Sequence, residues 1–314
     1  MNTTTHLFSV SYDSNSTSIN NQSWFIPVDI LLIIFLGLTI ILSFVFLCII
    51  LFDKTCHTVA MMLVVNSCLA ALLFTSSLIW QTGISLRNDL IKLEHEDPLC
   101  RFRAYIGYVG CSEMFYSYLL QSIYRYILAV YPTRLFYQSA RFQFFLIAIT
   151  WICAFVCISP FILTGEIIYT VDDQICQMPL QRSVVLIYGL FYMYIIPMNC
   201  IMFIYYRLVY YVKQMSKRVT QVNSVTRAQR ELRMVYRVVI IVSILLIVGF
   251  PYTIFILMGL ISQPPKYHFR IAFGFVDVSL FLIIITLFNF TDPVKLSIMK
   301  RINRQKNTAV EPFR

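Results

Sequence analysis

The sequence has few charged residues for its length. Asp, Glu, Lys and Arg make up 13% of the 314 residues, whereas 59% are hydrophobic. About a quarter of an ordinary globular sequence is charged, so a soluble domain of this size would leave much of this apolar surface exposed. Glycine and proline are also scarce, at 9 and 11 residues, which excludes fibrous and low-complexity classes. The composition therefore fits a protein whose solvent is lipid.

The sequence also lacks the spacing of a metal or redox site. No two of its nine cysteines form a CxxC pair, and its four histidines lie far apart. These absences argue against a metalloenzyme, and we expect neither a metal nor a cofactor.

The first 25 residues lack the basic start and apolar core of a cleaved signal peptide.

What the sequence does contain is seven apolar runs long enough to cross a bilayer, for which about 20 residues suffice. Five are free of charge: 30–52, 58–86, 142–165, 183–206 and 238–263. Two contain one acid each, Glu113 in 104–124 and Asp277 in 271–291. Because the runs are continuous rather than alternating, they predict helices and not barrel strands. The expected fold is all-α, a seven-helix transmembrane bundle over residues 26–293.

The orientation of the bundle follows from its flanking residues. Three glycosylation sequons, at Asn2, Asn15 and Asn21, lie in the tail of residues 1–25. With this tail outside, the cytosolic side holds 18 Lys and Arg residues and the outer side seven, as the positive-inside rule requires. We expect a multi-pass plasma-membrane protein with an extracellular, glycosylated N terminus. Its basic surface then faces membrane lipids and a cytosolic partner, not nucleic acid.

Residues 294–314 are expected to form a short amphipathic helix and tail on the cytosolic membrane surface, because basic residues flank apolar ones. The basic residues are Lys300, Arg301, Arg304 and Lys306, and the apolar ones are Ile298, Met299 and Ile302. A frayed basic end is the alternative.

Several single residues recur along the runs in a fixed order. Cys100 stands just before the third run, and Cys176 follows the fourth. Arg125, in the triplet Tyr124-Arg125-Tyr126, follows Cys100 by 25 residues, about 37 Å along a helix, which is enough to cross a membrane. The others are Trp151 in the fourth run, Pro197 and Tyr205 in the fifth, Glu231 before and Pro251 within the sixth, and Asp292-Pro293 after the seventh.

In this order and spacing the chain resembles the rhodopsin-like G-protein-coupled receptors from residue 30 to about residue 307. The resemblance implies a disulfide between Cys100 and Cys176 and helix landmarks at Trp151, Pro197 and Pro251. It also implies a coupling and activation switch formed by Tyr124, Arg125, Tyr126, Tyr205, Glu231, Asp292 and Pro293. The implied function is that of a receptor and not an enzyme. It would transmit an extracellular chemical signal, a peptide or a small molecule, to a heterotrimeric G protein.

Some positions depart from the family's pattern. Tyr124 replaces the acid beside the arginine, Ala71 replaces the second-helix aspartate, and Gly249 replaces the tryptophan at the pocket floor. Because of these losses, an alternative function is that of a receptor-like protein without autonomous signalling, which acts as a partner or decoy. A transporter or channel is a weaker alternative, because there are no internal repeats and only two intramembrane acids.

The candidate ligand pocket consists of Gly107, Tyr108, Cys111, Glu113, Tyr252 and Asp277. An ionisable group in mid-membrane is costly unless paired or hydrated, so Glu113 is either a ligand or switch residue or a hydrogen-bonded structural carboxyl. Asp277 and Arg270 are rim residues or ligand anchors. Gly107 stands where aminergic receptors have an aspartate, and residues 271–291 contain no lysine for retinal. The resemblance therefore argues against a monoamine ligand and against light sensing.

Overall fold

The computed structural model describes residues 25–91, 96–180, 183–218, 240, 243–244, 247, 249–259, 261–262 and 265–291. Several predictions concern residues outside these ranges. They are the sequons at Asn2, Asn15 and Asn21, the switch residues Glu231, Asp292 and Pro293, and the amphipathic segment 294–314.

Over the described ranges the chain is predominantly helical. The helices are α1 (Phe25–Phe52), α2 (Val59–Ile91), α3 (Cys100–Val130), α4 (Ala140–Leu163), α5, α6 (described over Gly249–Gly259) and α7 (His268–Phe290). Helix α5 consists of Val184–Leu190, a π-helical turn at Phe191–Ile195, and Ile196–Arg218. A 3-10 turn, Lys54–Cys56, and a single helical turn, Leu135–Gln138, lie in two of the connections.

Each of the seven predicted runs falls on one of these helices. Within the described residues, α1, α2, α4, α5 and α7 are long and apolar enough to cross a membrane. Helix α3 has 31 residues, about 46 Å, which also exceeds the hydrocarbon thickness. Helices α2 and α3 are longer than the predicted apolar runs. Their polar end residues can be solvated at the membrane surface, so the helix continues beyond the apolar residues.

The π-helical turn of α5 ends at Ile195, two residues before Pro197. Pro197 has no N–H to donate to the carbonyl one turn earlier, and its ring crowds that carbonyl. A wide turn relieves the conflict without breaking the helix. The proline identified in the sequence therefore marks the point at which the geometry of α5 changes.

Helix α3 is the centre of the bundle and packs against α2, α4 and α5, whereas α1 packs against α2 and α7. The contact between α2 and α3 depends on Gly110. A Cβ added there would lie 2.8 Å from the backbone nitrogen of Phe74 and 3.0 Å from its Cα. Since backbone cannot move aside cheaply, only glycine permits this approach, as is common where membrane helices meet closely.

A β-hairpin, absent from the all-α prediction, forms part of the connection between α4 and α5. Strands β1 (Ile168–Thr170) and β2 (Ile175–Gln177) are antiparallel, with Tyr169 opposite Cys176. A disulfide joins Cys176 to Cys100, the first residue of α3, with a Cα–Cα distance of 5.5 Å. We call this end of the bundle the hairpin end, and the opposite end, where α3 finishes after Arg125, the Arg125 end.

Candidate functional site

A cavity of about 140 Å³ lies within the bundle beneath the hairpin. This volume is roughly ten times the minimum that holds one water molecule. We call it the main cavity. Residues of α2, α3, α5, α6, α7 and β2 line it, and most of them are apolar or aromatic, among them Phe74, Met114, Phe115, Tyr194 and Phe273. A concave, largely apolar site with a few polar groups is the usual form of a small-molecule site.

The hairpin roofs the main cavity through Tyr108. The Tyr108 hydroxyl donates a hydrogen bond to Gln177 Oε1 and accepts one from the backbone N–H of Met178, at 3.2 Å. The Tyr108 ring meets Phe161 edge to face, with centroids 5.3 Å apart. Because the disulfide at Cys176 is next to these contacts, the polar atoms of Gln177 are held against the cavity.

Four of the six predicted pocket residues line the main cavity: Gly107, Tyr108, Cys111 and Tyr252. A Cβ at Gly107 would lie 2.8 Å from Ser77 Oγ, so any larger residue there, aspartate included, would displace the Ser77 hydroxyl. Tyr252 follows the landmark Pro251 in α6. Gly249, which replaces the family's tryptophan at the pocket floor, also lines the main cavity.

Glu113, which the sequence analysis assigned to the pocket, does not line the main cavity. At 100° per residue it lies roughly 170° around α3 from the face that carries Gly107, Tyr108 and Cys111. Its side chain is 0% exposed and enters a network between helices. Asn66 Nδ2 and Thr150 Oγ1 donate to Glu113 Oε1, at 3.1 and 3.0 Å.

The landmark Trp151 belongs to the same network. Its indole N–H donates to Asn66 Oδ1 at 2.8 Å, and thereby joins α4 to α2. Glu113, Asn66 and Trp151 thus connect three helices in mid-bundle. This arrangement corresponds to the structural alternative for Glu113, a hydrogen-bonded carboxyl that holds helices together.

Asp277 is also absent from the lining of the main cavity, because it faces α1. It borders a second, smaller cavity of about 30 Å³ together with Asp29 and Arg270. We call this the side cavity. Asp277 is only 1% exposed, and within the described residues neither of its carboxylate oxygens has a hydrogen-bond partner. Asp277 is therefore neither a rim residue nor in contact with the main cavity.

Arg270 binds several carboxylates beside the side cavity. One guanidinium nitrogen lies 2.8 Å from Asp89 Oδ2 and 3.9 Å from Asp29 Oδ2. The backbone N–H of Arg270 donates to Asp173 Oδ1 at 3.1 Å. Burial raises the pKa of the Asp173 carboxyl above its ordinary value, against the opposing effect of that hydrogen bond and of the charges of His268 and Arg270.

At the Arg125 end, a hydrogen-bonded contact joins α3 to α5. The Ser122 hydroxyl donates to the Tyr205 hydroxyl oxygen at 3.1 Å, and the Arg125 side chain is a further hydrogen-bonding partner of Tyr205. Tyr124 is buried and packs with Leu63 and Leu120. Tyr126 meets Tyr131 edge to face, with centroids 6.3 Å apart. Four of the seven predicted switch residues are thus described, and all four lie at this end.

A comparison with protein families agrees with this architecture. The sequence model of the family described as 7 transmembrane receptor (rhodopsin family) matches residues 43–294, well over half of the chain. The chain belongs to the rhodopsin family of seven-transmembrane receptors. This rhodopsin-family receptor is a multi-pass membrane protein with a seven-helix bundle, as the resemblance in its sequence predicted. No curated protein matches it.

Sequence reasoning missed several polar residues of this receptor that surround the cavities or connect its helices. Asp29 lies one position before the first charge-free run, so an acid at the start of that run was a usable signal. Gln177 adjoins Cys176 and would follow from the disulfide once its partner on α3 is accepted. Asn66 and Gln81 gave no signal, because a single amide within an apolar run is not distinguished by its spacing.

Proposed function

We propose that this rhodopsin-family receptor transmits an extracellular chemical signal to a heterotrimeric G protein. The observation that carries the proposal is the placement of α3. One face of this single helix lines the main cavity at Gly107, Tyr108 and Cys111, and its far end holds Arg125 against Tyr205. A ligand in the cavity and a partner at the Arg125 end therefore contact the same rigid element.

The proposed mechanism is a population shift between two packings of the bundle. Helices α5 and α6 line the main cavity together with α3, so a ligand touches all three. The Tyr205 contact lies at the far end of α5 from that lining. Ligand binding that favours a different packing of α5 and α6 exposes Arg125 and the basic segment that connects α5 to α6 to a G protein.

The proposed topology places the hairpin end outside the cell and the Arg125 end in the cytosol of a plasma-membrane protein. It rests on the distribution of Lys and Arg and on the three sequons in the N-terminal tail. The three parts of the chain are then the glycosylated tail (1–25), the bundle (26–293) and the cytosolic amphipathic segment (294–314). The extracellular ligand is a peptide or a small molecule.

A second candidate function is a receptor-like protein that binds a partner but does not signal alone. It is favoured by Gly249, which supplies no side chain at the cavity where the family has a tryptophan. It is also favoured by Tyr124, whose buried ring packs among apolar residues in place of an acid. Both departures remove parts of the family's activation switch but leave the cavity and Arg125 in place.

The test is ligand-free signalling in cells that carry a promiscuous G-protein reporter. We expect output above that of mock-transfected cells, and Arg125→Ala at matched surface expression should abolish it. Arg134→Ala is the matched control, since Arg134 is an exposed arginine at the same end of the bundle, and it should retain the output. Output at the mock level from wild type, across a ligand screen as well, would favour the non-signalling candidate.

A further inference from the structure

We propose that the side cavity binds the ammonium group of a ligand whose apolar body occupies the main cavity. The proposal names a ligand class for the receptor function proposed above and rests on it. The anchor differs from that of aminergic receptors, in which the aspartate stands on the third helix. Here the carboxylates belong to α1 and α7, and α3 carries Gly107 at the aminergic position.

The first support is a set of unsatisfied acceptors. Asp29 Oδ2 and both carboxylate oxygens of Asp277 are buried, and within the described part of the chain none of the three has a hydrogen-bond partner. Both residues border the side cavity. Buried carboxylate oxygens are normally satisfied, because leaving them unpaired is costly. An ammonium group has N–H donors and no acceptor, so it can satisfy the two oxygens of Asp277, whereas Asp29 Oδ2 already lies 3.9 Å from the guanidinium of Arg270.

The second support is the charge balance. Four carboxylates gather at this side of the hairpin end, those of Asp29, Asp89, Asp173 and Asp277. In the described residues the neighbouring basic groups are Arg270 and His268. The guanidinium of Arg270 is directed at Asp89 and Asp29, and no salt bridge reaches Asp277 in this part of the structure. A bound cation next to Asp277 gives this buried carboxyl group a partner of opposite charge in a poorly solvated site.

The third support is the size and position of the side cavity. Its volume of about 30 Å³ is roughly twice the minimum for one water molecule, which suits a compact ammonium and not a bulkier group. Leu78, Gln81 and Phe273 border both cavities. The two cavities are therefore adjacent, and the proposed ligand extends from Asp277 past these side chains into the apolar main cavity.

The test measures thermal protection of the purified full-length receptor in detergent, without a G protein. The probes are phenylalkylamines with linkers of increasing length, each paired with the alcohol that replaces its ammonium by a hydroxyl. We expect at least one amine to protect at a concentration about tenfold or more below that of its alcohol, because charge-assisted hydrogen bonds are strong. In Asp277→Asn and Asp29→Asn this preference should disappear. Glu96→Gln, which removes an exposed acid at the same end, should keep it.

Two outcomes would overturn the proposal. In the first, every amine protects no better than its alcohol, or the preference survives in both asparagine variants. In the second, sodium chloride protects wild type but not Asp277→Asn, N-methylglucamine chloride does not, and the amines fail to compete, so that the carboxylates hold an inorganic cation. Because binding is read without a G protein, failure of signalling leaves this result intact. Conversely, loss of amine binding leaves the ligand-free reporter assay of Arg125→Ala unaffected.

Discussion

Replacing Glu113 separates a structural role for this buried carboxyl from a role in switching. Its Oε1 accepts from Asn66 at 3.1 Å and from Thr150 at 3.0 Å. In Glu113→Gln an oxygen remains to accept both hydrogen bonds. In Glu113→Leu no acceptor remains, and the two donors lose their shared partner.

The expected loss of stability in Glu113→Leu depends on which acceptors remain for Asn66 and Thr150. The Thr150 hydroxyl keeps the carbonyl of Ile147, 2.8 Å away, as an acceptor. The Asn66 amide N–H has no such second acceptor among the contacts that the structure gives it. Leaving one buried donor unsatisfied costs about 1–3 kcal/mol, a fall in melting temperature on the order of 5 °C. Glu113→Gln should stay within about 1 kcal/mol of wild type.

The assay pairs thermal unfolding of the purified receptor with ligand-free reporter output at matched surface expression. We expect the leucine variant to melt earlier and the glutamine variant to match wild type in both measurements. The structural role is refuted if Glu113→Leu is as stable as wild type. It is also refuted if Glu113→Gln changes ligand-free output several-fold while its melting temperature is unchanged, because the carboxyl would then act through its charge.

Three further predictions concern other parts of the receptor. Gly110→Ala forces a methyl group against the backbone of α2 and should be about 1–3 kcal/mol less stable than Gly83→Ala, whose added Cβ meets nothing within 4 Å; equal melting temperatures would contradict the close approach. Replacing Cys100 or Cys176 by Ser should sharply lower surface expression measured by flow cytometry, because the hairpin loses its covalent tie to α3; normal expression of both variants would contradict it. Glu231→Ala should raise ligand-free reporter output several-fold, because the resemblance implies that this acid restrains Arg125 in the resting receptor, and unchanged output would mean that packing holds the receptor inactive.

The membrane helices were predictable because the length of an apolar run is a direct physical requirement of the bilayer. Their ends were less predictable, as α3 shows by beginning at Cys100 and not at residue 104. Arg101 and Arg103 lie in its first turn, and charged residues there mark the end of the apolar run but not of the helix. An ion pair with Asp97, 3.0 Å away, compensates the burial of Arg103 in that position.

The β-hairpin could not be predicted from periodicity, because strands of three residues give too short a pattern. Its pairing is fixed by tertiary contacts, chiefly the disulfide at Cys176 and the bonds of Tyr108 to residues 177 and 178. Sequence reasoning supplied the disulfide only through the resemblance. The position of Gln177 over the cavity depends on tertiary contacts that the sequence does not indicate.

The cavity was partly predictable. Gly107, Tyr108 and Cys111 share one face of α3, and the same helical geometry would have excluded Glu113. The side cavity was beyond sequence reasoning, because Asp29 and Asp277 come from α1 and α7 and are about 250 residues apart. Nothing in their local sequence indicates that the fold brings them near enough for their charges to interact.

The most direct test of the proposed function is nucleotide exchange on a purified heterotrimeric G protein by the receptor in lipid nanodiscs. The account predicts that wild type accelerates binding of a non-hydrolysable GTP analogue over the heterotrimer alone. It also predicts that Arg125→Ala loses this acceleration, whereas Arg134→Ala keeps it. Exchange at the rate of the heterotrimer alone, with every G-protein class and with folded wild-type receptor, would contradict signal transmission through α3.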